Sequence, residues 1–210
     1  MVVLGLTGSI GMGKSVAAQR LRQLGVPVHD ADAEVHRLLR EDGDTIRAVD
    51  AAFPGVVKDG AVDRAALARR VFGDDVALRR LEGILHPRVQ SQARRFLKRA
   101  AAERRPLVAL DVPLLLETGG ERRCDAVVVV SAPSFVQAAR VLQRPGMSAQ
   151  RLAAILARQM PDAVKQRRAD FVVPTGLDRR LGLQALARVV TVARQRPLIR
   201  RPPGGFRSHA

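Results

Sequence analysis

Short apolar runs alternate with helical patterns along most of this chain. Val2–Thr7 is almost entirely apolar and shows no helical period, which predicts a buried β-strand. Residues 14–24 carry apolar side chains at i, i+4 and i+7 and are followed by Gly25, which predicts a helix with a glycine stop signal. The glycine-rich segment 8–13 lies between them, so the chain is predicted to open with strand, loop and helix.

The same alternation continues towards the C-terminus. Further strands are predicted at residues 26–30, 107–110, 126–130 and 171–173. A further helix is predicted to begin at Asp32, which would cap it. Others are predicted at residues 134–143 and from Ser148. The last is predicted at residues 177–194, with Leu181, Leu186, Val189 and Val190 facing inward. Strands that alternate with helices in this way predict an α/β fold, with a parallel sheet covered by helices on both faces.

Residues 41–105 have a different character. Their patterns are helical and rich in Ala, Leu and Arg, with interruptions at Phe53-Pro54-Gly55 and His86-Pro87. We therefore predict an inserted helical subdomain. Residues 196–210 mix proline, glycine and arginine without any period, which predicts a disordered basic tail. Because the sequence shows neither a signal peptide nor an apolar run of about 20 residues, we expect a cytoplasmic protein that is not attached to a membrane.

The composition narrows the class of partner only slightly. The chain of 210 residues has a net charge of +16, which favours a polyanionic partner such as nucleic acid or a phosphate-rich small molecule. Only four of the 36 basic residues are lysines and asparagine is absent, so a biased genome is an equally good explanation. The aromatic content of 3% is low for a surface that stacks bases. Cys124 is the single cysteine and is expected to be structural in a reducing compartment.

The segment Gly8-Ser9-Ile10-Gly11-Met12-Gly13-Lys14-Ser15 matches the phosphate-loop pattern G-x-x-x-x-G-K-[ST] at every position. Glycines let backbone N–H groups curve around phosphate oxygens, and the following helix offers its positive N-terminal end. Lys14 is then predicted to bridge the β- and γ-phosphates of a nucleoside triphosphate, and the Ser15 hydroxyl to bind Mg²⁺. The glycine order differs from that of a dinucleotide site, and a chain without asparagine lacks the usual guanine-recognition motif. A nucleotide kinase is therefore the leading class.

Three carboxylates follow predicted strands, at the edge of the sheet where ligands bind in α/β folds. Asp32 is the candidate base that accepts the proton of an acceptor hydroxyl, and the less favoured alternative is that it only caps its helix. Asp30 is expected either to support Asp32 or to help hold the metal through water. Asp111 ends an apolar run like that of a Walker B strand, which makes it a candidate for the Mg²⁺ shell.

Taken in order, several segments resemble the dephospho-CoA kinase family: the phosphate loop, Asp30-Ala31-Asp32, Leu85-His86-Pro87 and Asp111-Val112-Pro113-Leu114-Leu115-Leu116-Glu117. The similarity extends over about residues 2–194. It implies a P-loop NTPase three-layer core at about residues 1–40, 106–138 and 168–195, a helical CoA-binding insertion at about 41–105, and a helical lid at about 139–167. It also implies that ATP, with Mg²⁺, phosphorylates the ribose 3′-hydroxyl of dephospho-CoA, the last step of coenzyme A biosynthesis.

The resemblance also implies roles for individual residues. The base is Asp32, and Arg140 and Arg144 fall on the lid arginines, whose guanidinium groups neutralise charge on the transferring phosphoryl. The residues implied in ATP binding are Gly8, Gly11, Met12, Gly13, Lys14, Ser15 and Val16, of which Ser15 would also hold the metal, together with Asp111. The residues implied near the acceptor are Asp30, His86, Asp111, Pro113, Leu114 and Glu117.

Three departures from the family pattern bear on these expectations. Val16 replaces a common threonine, so only its backbone N–H serves the phosphates. Met12 replaces a small residue, which is tolerable if its side chain points outward. Pro174-Thr175 stands where an asparagine near the adenine is common. Two alternatives stay open: another nucleoside or nucleotide kinase, and, less favoured, a basic nucleic-acid-binding ATPase.

Overall fold

The computed structural model describes residues 1–176 and 178–195, and its described part forms two compact units. The first unit contains residues 1–29 and the described residues from Ala100 onward, and the second contains Asp30–Arg99. The strands are β1 (Val2–Thr7), β2 (Val28–Asp30), β3 (Val57–Lys58), β4 (Ala61–Val62), β5 (Leu107–Asp111), β6 (Ala126–Ser131) and β7 (Phe171–Pro174). The helices are α1 (Lys14–Gln23), α2 (Ala31–Glu41), α3 (Gly43–Ala52), α4 (Arg64–Val71), α5 (Asp75–Ala102), α6 (Ser134–Leu142), α7 (Ala149–Ala157), α8 (Asp162–Arg168) and α9 (Arg179–Gln195), with a 3₁₀ turn at Gly120–Arg123.

A five-stranded sheet in the order β2-β5-β1-β6-β7 forms the centre of the first unit. Strand β1 pairs in parallel with both β5 and β6, and β6 pairs in parallel with β7. In this register Leu6 lies opposite Asp111 on one side and opposite Val128 on the other. The phosphate loop after β1 and the acidic end of β5 therefore lie at the same edge of the sheet. The predicted α/β architecture with a parallel sheet is confirmed.

The three central strands of this sheet, β5, β1 and β6, are buried almost throughout, whereas the edge strands β2 and β7 are partly exposed. Strand β5 is buried at every position and β6 at every position except Ser131, which explains why both read as continuous apolar runs. The core residues include Leu4, Leu6, Leu21, Val26, Leu107, Val128, Val130, Val173, Leu186 and Val190. Each of the predicted strands is present, with bounds within two residues of the prediction.

The second unit has its own apolar core. Leu39, Val49, Phe53, Val56, Val62, Leu67 and Leu85 are buried together in it. The unit is mainly helical, but it also contains a short antiparallel hairpin in which Val57 lies opposite Val62. Gly60 adopts a φ of 76° in the hairpin turn, a conformation that glycine enters without a steric penalty. The sequence patterns did not predict this hairpin, because each of its strands has only two residues.

Three local expectations are wrong. Asp32 does not cap α2, because the helix begins earlier than predicted. The cap is Asp30, whose Oδ1 accepts from the Ala33 N–H at 3.0 Å, and Asp32 is exposed in the first turn. His86-Pro87 does not interrupt a helix, since α5 continues through Pro87 and the neighbouring Leu85 is held in the apolar core. Leu181 is 57% exposed because it lies beside the buried face of α9, which passes through Gly182 and Ala193. Leu186, Val189 and Val190 are on that face and are buried as predicted.

Two further expectations concern the membrane and the tail. Among the described helices, none combines the length and the apolar character that a membrane crossing requires. The predicted basic tail at residues 196–210 lies outside the described residues.

Candidate active site

The phosphate loop has the curved backbone that its sequence predicts. Gly11 and Gly13 adopt φ values of 77° and 81°, in the left-handed region that disfavours other residues. A Cβ on Gly8 would lie 2.4 Å from Val130 Cγ2, so this position also requires glycine for steric reasons. Helix α1 begins directly after the loop, at Lys14, and has no acidic residue in its first turn. Its positive N-terminal end therefore faces a glycine loop suited to an anion.

Lys14 is held at the acidic end of β5. Its Nζ atom lies 2.7 Å from Asp111 Oδ1, and the Asp111 side chain is only 2% exposed. The parallel pairing of β1 with β5 produces this contact, because it brings the residues that follow β1 next to the end of β5. The predicted phosphate ligand and the predicted metal-binding carboxylate are thus neighbours in space, although they are far apart in the sequence.

The side chain of Met12 points inward, whereas an outward orientation was expected from the sequence. Its side chain is 2% exposed and belongs to the apolar core of the first unit. Its Sδ atom accepts a hydrogen bond from the Ala132 N–H at 3.0 Å. The unbranched thioether fits here because it fills an irregular gap and is also a weak acceptor. A large residue is thus accommodated in the loop by packing inward, against the segment after β6.

Arg140 on α6 is bonded to backbone carbonyls. Its guanidinium donates to the Thr175 carbonyl at 2.5 Å, to the Gly176 carbonyl at 3.1 Å and to the Gly11 carbonyl at 3.4 Å. It thereby joins the phosphate loop to the segment after β7. The Thr175 hydroxyl makes a second connection, because it donates to the Met12 carbonyl at 2.6 Å. Arg144, one turn further along the chain, lies beyond α6 and is exposed.

The segment after β5 is attached to the end of β1. The Thr7 hydroxyl donates to the Pro113 carbonyl at 2.9 Å, and Leu114 is partly exposed just beyond it. Glu117 lies deeper in the first unit. One of its oxygens, Oε1, accepts from the Met160 N–H at 2.9 Å and is 2.8 Å from Lys165 Nζ. The Oε1 atom of Glu117 is therefore engaged by the polypeptide itself.

The other predicted site residues belong to the second unit. Asp30 caps α2, and Asp32 is exposed in the first turn of that helix, two residues after the end of β2. His86 is exposed on α5. These placements leave the carboxylate of Asp32 and the imidazole of His86 accessible to solvent.

Three polar residues near the phosphate loop were not assigned a role from the sequence. Gln137 Nε2 donates to the Ile10 carbonyl at 2.8 Å, and Gln159 Oε1 accepts from the Ile10 N–H at 3.1 Å. Lys165, the partner of Glu117, is fully buried. A glutamine on a helix or just after one gives no signal in the sequence of what its side chain contacts. A lysine in a short helix gives no signal of burial at all.

The residues at this edge of the sheet fit a magnesium ion that is bound together with phosphates. The described residues contain no cluster of three or more His, Cys, Asp or Glu side chains suited to a metal. Magnesium in nucleotide sites, however, uses one or two protein oxygens, and phosphate and water complete its coordination. Ser15 is exposed at the start of α1, and the Asp111 carboxylate lies beside the neighbouring Lys14. A hydroxyl and a carboxylate of this kind are an appropriate donor pair.

The phosphate loop follows the central strand of a parallel sheet, an acidic residue ends the neighbouring strand, and Arg140 lies on a following helix. This arrangement defines a P-loop kinase fold. The comparisons with known proteins specify the family. The model of the dephospho-CoA kinase family matches residues 2–177.

Individual relatives agree with this match. A dephospho-CoA kinase of Paramagnetospirillum magneticum is 66% identical over 166 residues, which cover 79% of this chain and 78% of the relative. A dephospho-CoA kinase of Rhodospirillum rubrum is 57% identical over 195 residues, which cover 92% of each chain. A crystal structure from Thermus thermophilus superimposes with a TM-score of 0.79 at 37% identity, covering 91% of this chain and 96% of the other. The chain belongs to the dephospho-CoA kinase family.

Proposed function

We propose that this protein transfers the γ-phosphoryl group of ATP to the ribose 3′-hydroxyl of dephospho-CoA, giving coenzyme A and ADP. The observation that carries the proposal is an intact phosphate loop, with Lys14 held by Asp111, in a chain whose family match extends over residues 2–177. The loop supports the donor half of the reaction, and family membership supports the acceptor half. The cytoplasm is the compartment we propose for the reaction.

The donor is bound by the phosphate loop in this proposal. The phosphates lie among the backbone N–H groups of residues 11–16, and Val16 has only its backbone to contribute. The N–H groups of Met12 and Val16 also donate within the loop, each at 3.1 Å, to the carbonyls of Ser9 and Gly13. Lys14 bridges the β- and γ-phosphates. Ser15 and Asp111 are the residues that would hold Mg²⁺, which when bound neutralises charge on the phosphate oxygens.

The acceptor hydroxyl is activated by Asp32 in this proposal. Its exposed carboxylate accepts the hydroxyl proton while the 3′-oxygen attacks the γ-phosphorus, and the bond between that phosphorus and the β,γ-bridging oxygen breaks to release ADP. Asp30 supports Asp32 by fixing the first turn of α2, in which Asp32 lies. His86, Pro113 and Leu114 remain the other candidates for acceptor recognition, whereas Glu117 is bonded to the Met160 N–H and to Lys165.

The two lid arginines have different surroundings, which supports different roles for them. Arg144 is exposed and available to neutralise charge on the transferring phosphoryl group. Arg140 is the second candidate for that role. Its bonds to the carbonyls of Thr175 and Gly176 also support a part in holding the segment after β7, close to the phosphate loop.

A direct assay tests the reaction. Purified full-length protein is incubated with Mg²⁺-ATP and dephospho-CoA, ADP release is followed, and the position of the new phosphate is determined by ³¹P and ¹H NMR. AMP and adenosine are added as competing acceptors, and Lys14→Ala is the inactive control. We expect a 3′-phosphorylated product and little transfer to the competitors.

Two results would contradict the proposal. Faster phosphorylation of AMP or adenosine than of dephospho-CoA would indicate another nucleotide or nucleoside kinase. Folded protein that binds ATP, leaves dephospho-CoA unmodified and hydrolyses ATP faster when DNA or RNA is added would indicate a nucleic-acid-dependent ATPase. Binding of that kind would also weaken steeply as salt is raised.

A further inference from the structure

Both backbone polar groups of Ile10, in the middle of the phosphate loop, are bonded to glutamine side chains. Gln137 Nε2 donates to the Ile10 carbonyl at 2.8 Å, and Gln159 Oε1 accepts from the Ile10 N–H at 3.1 Å. Gln137 is buried on α6, and Gln159 follows the end of α7. Two separate segments therefore hold one residue of the loop from outside.

The loop needs such external support because of its composition. Gly8 and Gly11 lie on either side of Ile10, and glycine loses more conformational freedom on ordering than any other residue. A loop that is already curved when ATP arrives avoids that entropy cost at the moment of binding. Bonds that fix Ile10 consequently favour ATP binding without contacting ATP.

A buried ion pair fixes the backbone next to Gln159. Lys165 is 0% exposed, and its Nζ atom lies 2.8 Å from Glu117 Oε1. The same oxygen accepts from the N–H of Met160 at 2.9 Å, so the pair is joined directly to the residue that follows Gln159. Lysine is almost never fully buried unless it is paired, since an isolated buried charge has a large desolvation cost.

Helix α8, which carries Lys165, is held in the first unit by two further contacts, one of them to the last residue of β6. Ser131 Oγ donates to Asp162 Oδ2 at 2.6 Å, and Arg168 Nη2 donates to Glu121 Oε1 at 2.6 Å. The lysine therefore has a fixed position relative to the sheet. A fixed Lys165 in turn orients Glu117 towards the Met160 N–H.

We propose that the Lys165–Glu117 ion pair is a positioning device for the phosphate loop. It fixes the backbone at Met160, and this places Gln159 to hold Ile10. Lys165, Glu117, Gln159 and Gln137 are thus positioning residues for ATP binding. Glu117, which the resemblance places near the acceptor, acts here on the donor side. The inference rests on the proposed function only in requiring that the phosphate loop binds ATP.

The first test measures ATP binding by isothermal titration calorimetry in the absence of dephospho-CoA. Gln159→Ala is compared with Gln150→Ala, a matched control at an exposed position on α7. We expect the Kd for ATP to rise about 3- to 10-fold in Gln159→Ala, the range of one hydrogen bond, and to be unchanged in the control. Because no acceptor is present, this result is independent of whether dephospho-CoA is the substrate. Wild-type affinity in Gln159→Ala would overturn the proposal.

The second test asks whether the ion pair acts through Gln159. Glu117→Gln is made in the wild-type and in the Gln159→Ala background, and the four Kd values for ATP form a double-mutant cycle. We expect Glu117→Gln to weaken ATP binding in the wild-type background and to have no further effect once Gln159 is removed. The same fold-loss in both backgrounds would show that Glu117 acts independently of Gln159, and this would overturn the proposal.

A third variant keeps this test decisive if Glu117→Gln does not fold. Glu117→Gln leaves the Lys165 charge buried without a counter-charge, which is strongly destabilising. The double substitution Glu117→Leu with Lys165→Met removes both charges together with the oxygen that accepts from the Met160 N–H, and it leaves no buried charge unpaired. It takes the place of Glu117→Gln in the cycle. We expect the folded variant to bind ATP about 3- to 10-fold more weakly than wild type and to show no further loss once Gln159 is removed. Wild-type affinity, or the same fold-loss in both backgrounds, would overturn the proposal.

Discussion

Lys14 Nζ and Asp111 Oδ1 lie 2.7 Å apart, at the edge of the sheet where β1 and β5 end. The Asp111 side chain is almost fully buried, so its charge is poorly screened by solvent. The pair holds the lysine of the phosphate loop beside the carboxylate that is the candidate for metal binding. Donor binding and metal binding are therefore expected to depend on each other.

Replacement of Asp111 by asparagine tests this dependence. Asp111→Asn preserves the shape of the side chain but removes its charge from both Lys14 and the proposed metal. We expect kcat to fall about 10²-fold, in the range for loss of one preorganised electrostatic contact, and the Mg²⁺ concentration for half-maximal rate to rise. Initial rates measured over a Mg²⁺ series check both effects. An unchanged Mg²⁺ dependence would remove Asp111 from the metal site.

Asp32→Asn tests the proposed base. We expect kcat to fall about 10²- to 10⁴-fold with little change in the KM for ATP, because the carboxylate acts on the acceptor hydroxyl only. Asp44→Asn is the matched control, since Asp44 is likewise exposed in the first turn of a helix of the second unit. Turnover of Asp32→Asn close to that of the control would exclude Asp32 as the base.

The two lid arginines are expected to respond differently to substitution. Arg140→Lys loses a guanidinium that donates to three carbonyls, so we expect the free energy of unfolding to fall by about 1–2 kcal/mol and ATP binding to weaken.

Arg144→Ala should instead lower kcat and change stability by less than about 0.5 kcal/mol, because the side chain is exposed. Urea unfolding and steady-state kinetics distinguish the two outcomes. Arg167→Ala, at an exposed position on α8, is the control for loss of one positive charge. If the kinetics of Arg144→Ala match those of this control, Arg144 is only a solvent-exposed charge and has no role in phosphoryl transfer.

Truncation of Met12 should destabilise the protein despite its position in a loop. Its side chain is 2% exposed, and Met→Ala at a core position costs about 2–5 kcal/mol. Met12→Leu should cost less, about 1 kcal/mol, since it retains the volume but loses the sulfur that accepts from Ala132. Urea unfolding of both variants provides the measurement. A cost below 0.5 kcal/mol for Met12→Ala would contradict the inward packing.

Cys124 gives a pH-dependent prediction. Burial, with a smaller contribution from the charge of Asp125, raises the pKa of the Cys124 thiol from 9.0 to about 12. The folded protein therefore keeps its thiol protonated at pH 8, and we expect iodoacetamide to react slowly until the chain is unfolded with urea.

The same pKa shift determines the sign of a stability effect. Between pH 9 and 12 the unfolded state releases the Cys124 proton while the folded state retains it, so stability should decline as the pH rises through this interval. Cys124→Ala should show less of this decline in urea unfolding at pH 8 and pH 10. Rapid alkylation of the native protein at pH 8 would contradict the raised pKa.

The sequence alone determined the fold class of this protein and the position of its phosphate loop. Parallel strands buried on both faces read as apolar runs, and the phosphate loop is a contiguous motif whose glycines are required by its backbone conformation, so local pattern and tertiary structure agree there. The ordered resemblance to the dephospho-CoA kinase family added the proposed acceptor. It did so because the residues that carry it occur in sequence order.

Only the tertiary structure decided what the long-range polar side chains contact. Lys14 meets Asp111 through strand pairing, Lys165 is buried against Glu117, and Ile10 is held by two glutamines that lie more than 120 residues away. The inward position of Met12 belongs to the same group. These contacts depend on the packing of segments that are distant in the chain. A local helical or loop pattern does not indicate which distant atom fills a gap beside a side chain or pairs with its charge.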